Sequence, residues 1–113
     1  MRRPDVATQL VTIWWRDIPT QVNAQSGRTR YQAILPRRFQ RAVDEAAMAA
    51  ELTQASGYVA EWRRESLTLS SSASPAELQA AADAAAARFE ASYSRERLTA
   101  IAANRGYDPD ASA

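Results

Sequence analysis

The segment Val11–Pro19 constrains the fold more than any other part of the chain, because it concentrates bulky side chains in an alanine-rich sequence. Side chains alternate across a β-strand, so Val11, Ile13 and Trp15 would share one face and Trp14 would lie on the other. The first face is apolar throughout and is predicted to meet the core. A strand with a tryptophan on each face is typically internal to a sheet. We therefore predict an internal strand here.

Two interpretations of this strand, predicted over residues 7–16, stay open. In the first, both tryptophans pack in the core, as the burial preferences of large aromatic residues favour. In the second, Trp14 and Arg16 form an exposed anchor for a protein partner, since Trp and Arg are enriched at interface hot spots. After the strand, Ile18 and Pro19 are predicted to turn the chain, because proline cannot donate within a ladder.

The absence of three residue types narrows the chemistry. None of the 113 residues is cysteine, histidine or lysine. This excludes disulfides, thiolate metal sites, thiol nucleophiles, the commonest general base and a Schiff-base lysine. No pair of carboxylates has a spacing that favours acid–base work or a metal. The sequence therefore favours a single non-enzymatic domain without a cofactor or a metal.

The charge balance and hydropathy also bear on partners and location. The formal net charge is +1 at pH 7, so no overall field attracts nucleic acid or an anionic membrane. No run has the length and apolarity of a transmembrane helix, and the basic start is not followed by a signal-type apolar segment. We expect a cytoplasmic protein without membrane contact, and homo-oligomerisation stays open.

An amphipathic hairpin is predicted next. Gly27 occupies a position where a two-residue loop needs positive φ, so Ser26 and Gly27 are predicted to join strands at 20–25 and 28–35. The alternation separates a polar face from a buried one. The predicted buried face consists of Val22, Ala24, Tyr31, Ala33 and Leu35.

Helical signals follow the hairpin. Pro36 is predicted to open a first helix whose apolar stripe begins at Phe39, and residues 58–64 are predicted to form a short second helix. The run Ser74–Glu77 has the pattern of a capping box that opens a C-terminal helix over residues 75–105. That helix is predicted to bend near Ser92 to Arg95. It is also predicted to cover Met48 and Leu52.

The predicted fold class is therefore α+β. A small antiparallel sheet of three strands, or four if residues 65–69 form one, packs against two main helices and one short helix. The predicted organisation is a flexible leader (1–5), a single domain (6–106) made of a core (6–69), a Ser-rich linker (70–74) and the C-terminal helix (75–105), and a disordered tail (107–113).

A cluster of arginines gives a second functional hypothesis. Arginine forks bind phosphate or carboxylate, and a helix N-terminus adds backbone donors. The predicted anion-binding residues, around one end of the hairpin and the start of the first helix, are Arg28, Arg30, Arg37, Arg38 and Arg41. The alternative interpretation is a solvated basic face without a ligand. Nucleic acid fits less well, because no aromatic side chains interleave with these arginines.

Three segments resemble the small bacterial "virulence factor" domain family. They are residues 11–22, with Trp-Arg-Asp-Ile-Pro, residues 35–48, with Arg-Phe and Asp-Glu-Ala-Ala-Met, and residues 58–64, with Glu-Trp-Arg-Arg. The resemblance covers most of residues 8–64 and is less specific downstream. It implies no catalytic mechanism. It implies either a free-standing protein of this size or a module joined to a helical-repeat protein.

The resemblance also implies a candidate partner, since free-standing members of that family are associated with methylenetetrahydrofolate-reductase-like proteins of one-carbon metabolism. Our first hypothesis is therefore a non-catalytic accessory or protein-binding module with a link to folate one-carbon metabolism. The alternative is a small anion- or nucleotide-binding domain that uses the arginine cluster.

Overall fold

The computed structural model describes residues 8–52, 55–69 and 74–109. In this part of the chain a four-stranded antiparallel sheet is combined with helices, which confirms the α+β class. The elements are β1 (Thr8–Trp15), β2 (Ile18–Ser26), β3 (Thr29–Ile34), α1 (Arg37–Ala49), α2 (Ala55–Ala60), β4 (Trp62–Thr68), α3 (Pro75–Ser92) and α4 (Arg95–Ala103). None of these helices is both long enough and apolar enough to span a bilayer.

The strand order is β3-β2-β1-β4, so β1 is internal as predicted. Its second neighbour, β4, runs antiparallel to it and places Trp62 opposite Trp15 and Leu67 opposite Leu10. Residues 62–64 therefore belong to a strand, and the prediction that they continue a helix from Tyr58 is wrong. The fourth strand, which the sequence left open, is present.

The turn between β1 and β2 lies two residues earlier than predicted. Arg16, with φ 53, and Asp17 form it. Ile18 and Pro19 already belong to β2, and Pro19 pairs with Trp14. The pairing of β1 with β2 shifts by one residue next to this position. Proline fits at such an irregularity because it has no N–H to donate to the ladder.

The β2–β3 hairpin has its loop at Gly27 and Arg28, since Ser26 pairs with Thr29. Gly27 has φ 61, as the loop requires. The predicted loop was one residue earlier, so the predicted pairing differs from the real one by two residues. A shift of two leaves every side chain on its predicted face. The buried face is confirmed, with Val22, Ala24, Ala33 and Leu35 buried and Tyr31 half-buried.

Helices packed on the sheet and on each other complete the domain. Helix α3 lies across β2 and β3, and α1 packs against α4. Alanines let the helices approach closely, while a few large side chains fill the space between the layers. The largest fully buried side chains are Trp15, Phe39, Ile18, Leu78, Ile101, Val11, Val22, Val43 and Pro19. The first tryptophan interpretation therefore holds for Trp15.

The end of α1 differs from the prediction in one respect. Met48 is 70% exposed, so the expectation that the C-terminal helix covers it is wrong, whereas Leu52 packs partly buried against the core. The helix closes with Glu51 at φ 61 and the Leu52 N–H bonded to the carbonyl of Ala47 at 2.9 Å. These are the features of a Schellman motif, which ends α1.

The C-terminal helix is two helices. Ser74 and Glu77 form the predicted capping box, with the Glu77 N–H donating to Ser74 Oγ at 3.2 Å and the Ser74 N–H donating to Glu77 Oε1 at 2.8 Å. The predicted break falls at Tyr93 and Ser94, between α3 and α4. Helix α4 ends with the Gly106 N–H bonded to the carbonyl of Ile101 at 2.8 Å.

Residues 105–108, here called the C-terminal clasp, contact the β1–β2 turn. The Asp17 N–H donates to the carbonyl of Gly106 at 2.9 Å, and the Asp108 N–H donates to Asp17 Oδ2 at 2.8 Å. The sequence predicted a disordered tail from Tyr107 onwards, and the structure differs for Tyr107 and Asp108. The predicted leader, most of the Ser-rich linker and residues 110–113 lie outside the described residues.

Candidate functional site

A basic groove runs between α1 and α4. Its volume is about 350 Å³, which lies in the range of small-molecule sites. The residues that line it, here called the arginine groove, are Arg37, Arg38, Arg41, Ala42, Glu45, Arg95, Leu98 and Thr99. Ala42 and Leu98, each 3% exposed, form an apolar floor. The groove therefore combines concentrated positive charge with an apolar floor.

The two helices that form this groove begin at the same end of it. Pro36 precedes α1 in extended backbone with ψ 157. Ser94 precedes α4, and its Oγ accepts the Arg97 N–H at 3.1 Å. Arg38 donates to the carbonyl of Tyr93, just before α4, which ties the two helix starts together. Arg37 and Arg95, the first residues of the two helices, both line the groove, and the positive ends of the helix dipoles favour an anion there.

Arg38 holds the end of α3 against α1. Its guanidinium donates to the carbonyl of Glu90 at 3.0 Å and to that of Tyr93 at 3.2 and 3.3 Å, and it lies 4.9 Å from the centroid of the Phe39 ring. These carbonyls close α3, where a cation suits the helix dipole. Burial raises the pKa of the Tyr93 phenol above its usual 10.0, and Arg97 opposes that rise. Arg38 therefore positions the groove and adds charge to it.

Arg37, Arg41 and Arg95 are all exposed at the groove. Within residues 8–52, 55–69 and 74–109, none of the three has a side-chain hydrogen bond or a carboxylate within 4.0 Å. Glu45 is the single acidic residue in the lining. As far as the described residues go, these three guanidinium groups are thus available to a ligand. Arg95 was not among the predicted site residues.

The other two predicted anion-binding residues do not join this groove. Arg28 lies in the hairpin loop and Arg30 near the adjoining end of β3, and both are exposed. Arg37 follows the opposite end of the same strand. A six-residue strand is about 20 Å long. The predicted cluster therefore divides into a pair at the hairpin and a groove set of Arg37, Arg38 and Arg41.

Arg16, predicted as half of a partner-binding anchor, is bound inside the molecule. Its side chain is 12% exposed, Nε donates to Glu61 Oε1 at 2.9 Å, and Nη1 donates to the carbonyl of Arg105 at 2.8 Å. Its guanidinium carbon also lies 5.3 Å from the Trp15 ring centroid and 4.6 Å from that of Tyr107. These contacts join the β1–β2 turn to the residue that precedes β4 and to the C-terminal clasp, so they give Arg16 a structural role.

Trp14 lies half-buried between α3 and β4. Its ring meets Phe89 edge to face with 5.5 Å between centroids, and the guanidinium of Arg63 lies 5.0 Å above it. Its indole Nε1 is buried and has no hydrogen-bond partner among the described residues. A second groove of about 480 Å³ opens beside it. This groove, here called the tryptophan groove, is lined by Leu10, Thr12, Trp14, Glu65, Ser66, Leu67 and Phe89.

The carboxylates of the described residues do not gather into a metal site. No group of three or more acidic side chains is close enough to hold an ion in the part of the chain that the structure covers. Glu61 is bound to Arg16, Asp44 accepts from Gln40 at 3.0 Å, and Asp108 lies 2.7 Å from Arg97. Each of these three carboxylates thus already contacts a neighbouring side chain.

Comparison with known families gives one match. The sequence profile described as "Virulence factor" matches residues 13–102, which is most of the chain. The chain belongs to the virulence factor family. No curated protein and no solved structure matches it. The family assignment therefore stands on the profile, and it confirms the resemblance recognised in the sequence.

The two grooves differ in how much of their lining lies within the residues that the family profile matches. The match extends well beyond the segment that carried the resemblance and takes in α3 and nearly all of α4. Every residue that lines the arginine groove lies inside it. Leu10 and Thr12 of the tryptophan groove precede it. The arginine groove is thus formed wholly within the virulence factor domain.

Proposed function

We propose that this virulence factor domain is a binding module for a small anion, held in the arginine groove. The observation that carries the proposal is the convergence of Arg37, Arg41 and Arg95, none of them paired with a described carboxylate, on one concave surface. Surface arginines scattered singly need no ligand. Three that share a groove with two helix N-termini offer fork-shaped donors and favourable dipoles to the same group.

A phosphate or carboxylate suits this surface best. Guanidinium groups match both anions with two parallel hydrogen bonds, and such charge-assisted bonds are roughly twice as strong as neutral ones. Arg38 is already bound to backbone carbonyls, so it keeps the groove in shape while its neighbours contact the ligand. Binding needs no acid–base group and no metal, which agrees with the residue types that the chain contains.

Anion binding is tested by calorimetry with inorganic phosphate and with pyrophosphate at fixed ionic strength. We expect the double variant R41Q/R95Q to lose at least about tenfold in affinity, since each tenfold is about 1.4 kcal/mol. The matched control is R28Q/R30Q, which removes the same charge from exposed arginines at the hairpin. Equal losses in both variants, or no binding by the wild type, would overturn the proposal.

A second candidate function is docking of a protein on the tryptophan groove. The observation in its favour is an apolar surface that α3 leaves uncovered, with Leu67 58% exposed beside Trp14 and Phe89. Exposed apolar area next to aromatic side chains is typical of interaction sites. The family resemblance makes a methylenetetrahydrofolate-reductase-like protein the first partner to test.

The docking candidate is tested by co-purification of that partner with wild type, L67D and I34D. Ile34 is 72% exposed on β3, at the other edge of the sheet, and provides a matched apolar-to-acidic control. Docking on the tryptophan groove predicts that L67D alone loses the partner. Retention by L67D, or equal loss in both variants, counts against this surface.

A further inference from the structure

The arginine groove carries opposite charges at its two ends. Along α1 the lining runs from Arg37 and Arg41 to Glu45, and along α4 it runs from Arg95 to Thr99. Because the two helices start at the same end of the groove, the arginines and both N-termini lie together. The carboxylate of Glu45 and the hydroxyl of Thr99 lie further along. A ligand that fills the groove therefore has positive charge beside one of its ends and negative charge beside the other.

The spacing between these ends is that of a small molecule. A helix rises 1.5 Å per residue, so Glu45 lies about 6 Å beyond Arg41 and about 12 Å beyond Arg37 along the axis of α1. The surface between them is apolar, formed by Ala42 and Leu98. A short hydrocarbon chain fits that floor, with a charged group at each end.

Arg41 and Glu45 are placed where they could form an ion pair with each other, since residues four apart on a helix are neighbours. In the described part of the chain they do not form an ion pair within 4.0 Å, and Glu45 has no hydrogen bond from another side chain. Gln40 and Asp44, one position earlier, do bond at 3.0 Å. Both charges in the groove are thus left for a bound group.

We infer that the ligand of the arginine groove is a small organic phosphate that carries an amino group. Its phosphate lies between Arg41 and Arg95, its carbon chain lies on Ala42 and Leu98, and its ammonium group donates to Glu45. This inference rests on the proposed anion-binding function and names the class of compound. A polyanion is disfavoured, because a second phosphate would meet Glu45 and be repelled.

The test compares two matched probe series, alkyl phosphates and ω-aminoalkyl phosphates of two to six carbons, by calorimetry at fixed ionic strength. We expect the aminoalkyl probe of the best length to bind about fivefold to tenfold tighter than the alkyl probe of that length. In Glu45→Gln the aminoalkyl probe should bind more weakly and the alkyl probe more tightly, because one attraction and one repulsion are removed together.

Asp44→Asn is the matched control, since it removes a charge from the adjacent exposed residue that does not line the groove. It should leave the ratio between the two probes unchanged. Equal affinity for both series, or a preference for the amine that persists in Glu45→Gln, would overturn the inference while the anion site stands. If no phosphate probe binds the wild type, the proposed function itself fails.

Discussion

The guanidinium of Arg16 donates from Nε to Oε1 of Glu61, with 2.9 Å between the two atoms. Arg16 directly follows β1, and Glu61 directly precedes β4 of the same sheet. The pair is largely shielded, with 12% of the arginine side chain and 32% of the glutamate side chain exposed. Shielding makes an ion pair both stronger and more costly to break than one on the open surface.

A double-mutant cycle of Arg16→Met and Glu61→Gln should give a coupling energy of about 1–2 kcal/mol, measured by urea unfolding. This magnitude is set below that of a fully buried pair because Glu61 is partly hydrated. Met keeps the apolar part of the side chain, so the cycle isolates the charge interaction. Arg16→Met alone should cost more than the coupling energy, since it also removes the bond to the carbonyl of Arg105.

The control for that cycle is Arg63 with Glu65. Their closest atoms are 3.8 Å apart, and the two side chains are 42% and 59% exposed. We expect a coupling energy below about 0.5 kcal/mol, as for other solvent-exposed pairs. Similar coupling in the two cycles would show that the shielding of Arg16 does not matter to stability.

Gly106→Ala should destabilise the domain by about 2–4 kcal/mol, measured as a lower midpoint of chemical denaturation. Gly106 has φ 93, and an added Cβ would lie 2.9 Å from Cζ3 of Trp15. Gly27→Ala is the control, because φ is also positive there, at 61, in an exposed hairpin loop. It should cost only about 1–2 kcal/mol from backbone strain. Equal costs would contradict the close contact with Trp15.

Glu77→Gln should change how the free energy of unfolding depends on pH in the acidic range. Hydrogen bonds from Ser74 lower the pKa of Glu77 below 4.5. A lowered pKa contributes stability above the unfolded-state value, and that stability is lost as pH falls through the folded-state value. The free-energy difference between wild type and Glu77→Gln should therefore shrink between about pH 6 and pH 3. A difference that stays constant over this range would contradict the capping role of the carboxylate.

Tyr93→Phe should change how the free energy of unfolding depends on pH in the alkaline range. Burial raises the pKa of Tyr93 above 10.0, so the phenol stays neutral in the folded chain at pH values where it ionises in the unfolded chain. The corresponding stability is present below pH 10 and is lost as pH rises through the folded-state pKa. Wild type should lose free energy of unfolding more steeply above about pH 10 than Tyr93→Phe does. Parallel profiles would show that the phenol is already solvated.

Local signals in the sequence predicted local structure well. The capping box at Ser74 and Glu77, the positive φ of Gly27 and the alternation of Trp14 with Trp15 each depend on residues adjacent in the chain. For that reason the faces of the hairpin were correct even though its pairing was displaced by two residues. The sequence did not show that a fourth strand pairs with β1. That pairing is what makes residues 62–64 a strand and not part of a helix.

The candidate site was predicted in part for the same reason. Arg37, Arg38 and Arg41 share one helix, so their spacing alone placed them together. Arg95 comes far later and reaches the groove only through the packing of α1 on α4. Arg28 and Arg30 were grouped with them because they are close in sequence. In the structure the length of β3 separates them from Arg37. One of the two interpretations of β1 placed Arg16 on a partner-binding surface, and no pattern in the sequence indicated that Glu61 and Arg105 would bind it.

The C-terminal clasp gives this domain a particular order of assembly during translation. The Gly106 carbonyl and the Asp108 N–H both bond to Asp17 of the β1–β2 turn, and Asp108 is made 91 residues after Asp17. The nascent sheet must wait, with Trp15 lacking its glycine neighbour, until α4 and the C-terminal clasp have emerged. A chain shortened before Gly106 would therefore leave uncovered the part of Trp15 that lies against this glycine, as exposed aromatic surface for chaperones and proteases to recognise.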